Sequence, residues 1–376
     1  MSRILNRHTA RTIGLLGAGA AVGAAAIGLY RSTHPAEASG PVSPDPGRNR
    51  PPLPPHLFEM PDGVTEGDVP TPDGGTIHYA EKGSGRALVL LHGVTLRHDV
   101  WSPQFHQLAD RYRVIAVDLR GHGRSQPGSL GLGLPRLATD LATLLTELNL
   151  RDSIVVGHSM GGMTVMRFCG DHPDVLAERV AGLALVATAG HQAVPPYMEG
   201  MARRVLASGR GQIDRGAGLP TRKVVGRPAV RMVFGDRPHP RAVDIVHEMT
   251  TSMHDGHLID SLLGIVEHDA RDALAATRTP SVVVVGTRDL LTPVPAGRAI
   301  ARVMPGSEFV VLPRAGHQLM QERPDELAEL IDALVARVEG QVASVAEAVA
   351  ADDRPVEADQ VEAAGGSVLT AANHRS

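Results

Sequence analysis

A single cysteine, Cys169, stands among the 376 residues, so no internal disulfide can brace this chain, and cysteine content gives no reading of its compartment. The thiol falls in a helix-length stretch, where packing as a small apolar group is the expected role. Excess charge of either sign is also missing. Lys and Arg number 37 against 41 Asp and Glu, for a formal net charge of -4, and the signs are interspersed. No basic stripe exists to hold a nucleic acid, which excludes that partner class. The histidines, among them His254, His257 and His268, include no helical i, i+4 pair with a carboxylate partner of the kind that holds zinc, so no metal is expected. Nothing in the sequence fixes an oligomeric state.

Strongly apolar runs of membrane-spanning length are absent as well. The nearest is Ile13 to Tyr30, uncharged but built mainly of Ala and Gly. As a helix it would reach about 27 Å, just enough for a hydrocarbon core. Arg3, Arg7 and Arg11 precede it, against Arg31 close behind, which orients the N-terminus toward the cytoplasm. Residues 1–33 therefore read as an uncleaved anchor or as a signal peptide, with Ala36-Glu37-Ala38 as an A-x-A cleavage site. Either of these readings leaves the folded part exported, tethered or secreted; a non-inserted N-terminal tail is the third reading.

Proline-rich residues 34–61 read as a semi-rigid linker. Beyond it, apolar runs at Thr76–Ala80, Ala87–Leu91, Val114–Val117, Ser153–Val156, Leu183–Val186, Ser281–Val285 and Phe309–Leu312 predict strands. Helical periodicity at Leu137–Leu148, Ala296–Val303 and Asp325–Val338 alternates with or follows them. The expected fold class is α/β, a mostly parallel central sheet covered by helices on both faces. Core segments are expected at 62–189 and 280–340. The strand pattern stops between them, so 190–279 reads as an inserted helical cap. Residues 341–376, rich in Ala, Glu and Asp, read as a disordered tail.

One turn in this frame carries chemistry. Gly157-His158-Ser159-Met160-Gly161 follows the β-branched run Ser153–Val156 and precedes a helical stretch, Met163–Cys169. A strand, a sharp turn and a helix with serine at the apex need residues without side chains two places either side, and Gly157 and Gly161 meet that need. A nucleophilic serine also needs a base, an acid to orient the base, and donors for the oxyanion. Asp289 lies just past the strand Val282–Val285 and His317 just past Phe309–Leu312, at strand C-termini, where open parallel sheets place their sites. Asp269 and Asp272 precede their strand and fall on the wrong side. His158 adjoins the serine but projects differently at so tight a turn, and is expected to pack beside it.

The order Ser159, Asp289, His317 and the strand contexts resemble the α/β-hydrolase fold superfamily, over about Thr76 to Val338, in a serine-nucleophile, capped, esterase- or lipase-like form. The interruption after Ala189 falls where that family carries its cap. Leu90-Leu91-His92-Gly93-Val94 is similar to the family's oxyanion loop, which implies that the amides of Val94 and Met160 bind the oxyanion, with His92 and Gly93 as loop support. Asp118 to Ser125 is similar to the adjoining structural loop. The resemblance implies a catalytic Ser159, His317 and Asp289, no cofactor, and a small-molecule or lipid ester as substrate. Serine at the apex weighs against dehalogenases and epoxide hydrolases, which use aspartate there. Cofactor-free perhydrolase and C–C bond hydrolase chemistry use the same triad and stay open, as does a ligand-binding receptor on the same scaffold.

Overall fold

The computed structural model describes residues 51–191, 196–216 and 225–352. The anchor or signal segment, the Ala36–Ala38 site and the first part of the linker lie outside the described residues. The chain divides into two compact units, 1–335 and 336–376, and the site described below belongs to the first.

Eight strands form one sheet: β1 Thr65–Pro70, β2 Thr76–Lys82, β3 Ala87–Leu91, β4 Arg113–Val117, β5 Ser153–His158, β6 Val180–Val186, β7 Ser281–Gly286 and β8 Ser307–Leu312, in the order β1-β2-β4-β3-β5-β6-β7-β8. From β4 through β8 neighbours run parallel; β1 pairs antiparallel with β2, and β2 with β4. Strands β3, β5 and β7 are buried at every position, as their unbroken Val, Ile and Leu runs require of strands covered on both faces.

Twelve α-helices accompany the sheet among the described residues: α1 Ser102–Leu108, α2 Leu134–Glu147, α3 Met160–Asp171, α4 Pro173–Arg179, α5 Pro196–Asp214, α6 Arg227–Arg231, α7 Pro240–Ser252, α8 Asp255–Val266, α9 Arg271–Ala276, α10 Val294–Val303, α11 Leu319–Glu322 and α12 Pro324–Asp352. Helix α2 shows the logic of the layers. Pro135 sits in its first turn, where its missing N–H costs nothing, and Leu134, Leu137, Ala138, Leu141, Leu144 and Leu145 make one buried stripe. Helices α5 to α9 fill the interval between β6 and β7, where the sequence predicts an inserted helical segment. Helix α12 runs on to Asp352, over residues whose composition reads as the start of a disordered tail.

The loop after β4 is held by an enclosed ion cluster. Arg120, 2% exposed, forks onto Asp140 of α2 at 2.7 and 2.6 Å and onto Asp73 of the β1–β2 turn at 2.7 and 3.0 Å. Removing Arg120 would leave the two carboxylates facing each other away from water, so its guanidinium fixes three separate segments in one arrangement. None of the described helices is long and apolar enough to cross a membrane.

Candidate active site

Strand β5 ends at His158 and helix α3 begins at Met160, which leaves Ser159 to make the turn alone. Its backbone takes φ 51° and ψ -115°, a region that L-residues occupy only when their surroundings enforce it. The enforcing contacts are specific. The Ser159 amide donates to the carbonyl of Val186 at 3.0 Å, and Thr188 Oγ1 donates to the Ser159 carbonyl at 2.7 Å. Space is equally tight: a Cβ on Gly157 would lie 2.6 Å from the Gly161 carbonyl oxygen, and one on Gly161 2.4 Å from that of Leu91. Gly162, which sequence reasoning passed over, has the same constraint against Thr188, at 2.7 Å.

Past β7 and β8, the structure brings Asp289 and His317 together. His317 Nδ1 lies 2.9 Å from Asp289 Oδ2, with both side chains almost wholly enclosed. The carboxylate is oriented by three further donors: the amides of Leu291 (2.8 Å) and Thr292 (2.9 Å) on Oδ1, and the Thr292 hydroxyl (2.7 Å) on Oδ2. With Nδ1–H committed to Asp289, the imidazole keeps Nε2 as its basic nitrogen. Among the described residues no hydrogen bond joins Ser159 Oγ to His317.

His158 supports the main chain at His317. Burial, reinforced by the neighbouring His317, holds its imidazole well below the ordinary range. It is therefore neutral, and its Nε2–H donates to the His317 carbonyl at 2.9 Å, with the two rings 4.7 Å apart. The packing role expected of His158 thus has a definite object, the backbone of the residue that pairs with Asp289.

The loop after β3 lies against the serine. A Cβ on Gly93 would come within 3.1 Å of Ser159 Cβ and 2.9 Å of His158 Nδ1, so only glycine lets the chain pass there. His92, pushed down to about 4 by burial, donates from Nδ1 to the Gly93 carbonyl (2.7 Å) and accepts the Leu119 amide on Nε2 (3.0 Å). That ties the β3 loop, in which Val94 follows Gly93, to the β4 loop. Met160 opens α3, and the amides of a first helical turn have no partner inside the helix. The Met160 amide thus adjoins the serine.

Residues 88–330 match the profile of the Alpha/beta hydrolase family. The chain belongs to that family. Among curated relatives, a non-heme chloroperoxidase of Kitasatospora aureofaciens is 30% identical over 257 residues, 66% of this chain and 90% of the relative. The pimeloyl-[acyl-carrier protein] methyl ester esterase of Xanthomonas campestris is 29% identical over 279 residues, 69% of this chain and 99% of its own. Among solved structures, a thermophilic esterase from Thermogutta terrifontis superposes with a TM-score of 0.62 at 29% identity, covering 73% of this chain and 99% of that one.

Elsewhere in this hydrolase, Glu66, His78 and His98 are the one group among the described residues whose donor atoms could share a metal ion, at the β1–β2 edge of the sheet, away from β7 and β8. Its members already have protein partners: His78 Nδ1 meets Asp68 at 3.0 Å, His98 Nδ1 meets Asp118 at 3.1 Å, and Glu66 pairs with Arg124.

Proposed function

We propose that the protein hydrolyses carboxylic esters through an acyl-enzyme formed on Ser159. The observation that carries this reading is the 2.9 Å contact of His317 with Asp289, at the ends of two parallel strands on the same sheet edge as the strained serine. Ser159 Oγ attacks the ester carbonyl while His317 Nε2 takes its proton, and Asp289 stabilises the resulting imidazolium. The amides of Val94 and Met160 receive the oxyanion; one such donor is worth about 2.7 to 4 kcal/mol in the transition state. His317 then protonates the departing alkoxide, and the same imidazole activates the water that frees the acid. The reaction calls on no cofactor. Relatives named as esterases support this reading.

Peptide substrates fit less well. A free amino terminus needs a carboxylate left open for it, whereas Glu199, Asp214, Asp244 and Glu248 of the inserted segment are each paired with an arginine (Arg203, Arg210, Arg227 and Arg97). A panel of nitrophenyl esters of increasing acyl length, run on a protein starting near Leu57, is expected to show turnover with a clear optimum. Uniformly negligible rates would sink the ester reading.

The non-heme chloroperoxidase among the relatives supports a second reading, perhydrolysis. In it, hydrogen peroxide replaces water as the group that attacks the acyl-enzyme, and the product is a peroxy acid, with Ser159 restored. Peroxy acid formed from acetate and hydrogen peroxide would favour this reading over simple hydrolysis.

The same proposal places the catalytic part outside the cytoplasm, carried there by residues 1–33, on the strength of the arginine asymmetry around Ile13–Tyr30. Full-length protein is expected in the washed membrane fraction, or in the medium with a new N-terminus near Ser39. Intact protein found only in the cytosol would overturn this.

A further inference from the structure

Glu322, five residues after His317, has no part in the chemistry above, yet its carboxylate is the meeting point of two loops. The Gly235 amide donates to Oε2 at 2.7 Å, the Gly316 amide reaches both oxygens at 3.0 and 3.1 Å, and the Gln318 amide donates to Oε1 at 3.1 Å. Although the residue keeps some accessible surface, no Lys or Arg pairs with it among the described residues. Backbone amides alone hold its charge.

Two of those amides flank His317 and the third belongs to the inserted segment. There, residues 233–236 run alongside 314–317: the His317 amide donates to the Val233 carbonyl at 2.7 Å, and the Asp236 amide to that of Arg314 at 2.9 Å. The two loops touch without room for side chains. A Cβ on Gly235 would lie 2.1 Å from the Arg314 carbonyl oxygen, and one on Gly316 2.3 Å from the Gly235 nitrogen. On the outer side, exposed Arg231 donates to the carbonyls of Phe234 (3.4 Å) and Gly235 (2.9 Å).

We propose that Glu322 is a positioning residue that locks segment 233–236 of the insertion onto the His317 loop, so that the insertion sets the place of the catalytic base. The inference rests on the acyl-transfer reading of Ser159 and His317, and extends it from the reacting groups to the inserted segment that runs beside the His317 loop.

Glu322→Gln is the informative change. Burial pushes the carboxyl up to about 7, against the pull of the three amides, so a neutral amide of the same shape suits the surroundings. Gln nevertheless turns one accepting oxygen into an N–H donor facing N–H donors. With full-length protein, the expected result is a single cooperative melting curve lowered by only a few degrees, KM within about twofold of wild type, and kcat and the rate of Ser159 labelling by a fluorophosphonate each down at least about tenfold, the loss that a base misplaced by under an ångström brings. A substitution that merely loosened packing would not separate kcat from KM in this way.

Arg231→Met relaxes the same segment from outside while leaving the carboxylate in place, and kcat is expected to fall about threefold with folding intact. Wild-type kcat and labelling in folded Glu322→Gln would overturn the proposal, and so would wild-type kcat in Arg231→Met should Glu322→Gln fail to fold. A wild-type protein that the fluorophosphonate does not label would overturn the acyl-transfer reading and this proposal together, an outcome distinct from equal labelling of wild type and variant.

Discussion

Replacing Ser159 with alanine is expected to lower kcat on nitrophenyl esters by roughly 10⁵- to 10⁶-fold, with the melting curve of the wild type retained. The size of the loss follows from the division of labour at the turn. On the proposed mechanism no acyl-enzyme can form without Oγ, and what would remain is the smaller acceleration that the amides of Val94 and Met160 would give to direct attack by water. The fold should be indifferent, because the contacts that impose φ 51° on this residue are made by its own amide and carbonyl, to Val186 and Thr188. A rate near that of the wild type would remove the serine from the mechanism.

Asp289→Asn is expected to cost about 10⁴-fold in kcat, again in a folded protein. The asparagine Oδ1 can still accept the amides of Leu291 and Thr292, so the loop after β7 keeps its shape. Its Nδ2–H₂ would then face His317 Nδ1 as a donor, turning that nitrogen into an acceptor and moving the ring proton to Nε2. An imidazole protonated at Nε2 cannot take the serine proton. The comparison of kcat values checks this, and a loss under tenfold would show that Asp289 does not govern the tautomer.

These positions were legible because each sits at a place the chain marks locally. Runs such as Ser153–Val156 and Ser281–Val285 declare strands, and the residues just past their ends lie along one sheet edge; Gly157 and Gly161 announce a turn that other residues could not make. Strand β1 was not legible. Val69 is the one position it buries, and Gly67 and Pro70 interrupt it, as befits an antiparallel edge that buries little. Within the insertion, read from sequence as a helical cap, α5 gave no clear signal of its own: it is stitched on its surface by the i, i+4 pairs Glu199–Arg203 and Arg210–Asp214, with no long apolar stripe to reveal it. Helix α12 outruns Val338 because Ala and Glu, read from composition as a solvated tail, are also strong helix formers.

What the sequence withheld at the site has a common physical character. His158, Thr188, Thr292 and Glu322 act by closing hydrogen bonds onto backbone or side chains that the fold brings near, His158 onto a carbonyl 159 positions away. No periodicity encodes such a partner. The sequence shows which groups can do chemistry, and tertiary contact decides which groups hold them still.

The lone Cys169 has a practical consequence. Enclosed in helix α3, with its thiol pushed up to about 12 by burial, it is withdrawn from alkylating reagents at neutral pH. The natural chain is thereby a background silent to thiol chemistry, on which one cysteine placed at half-exposed Met201 or Met232 would carry a spin label or fluorophore with no competing site. Movement of the insertion during turnover could be followed from those two positions in an otherwise unaltered protein.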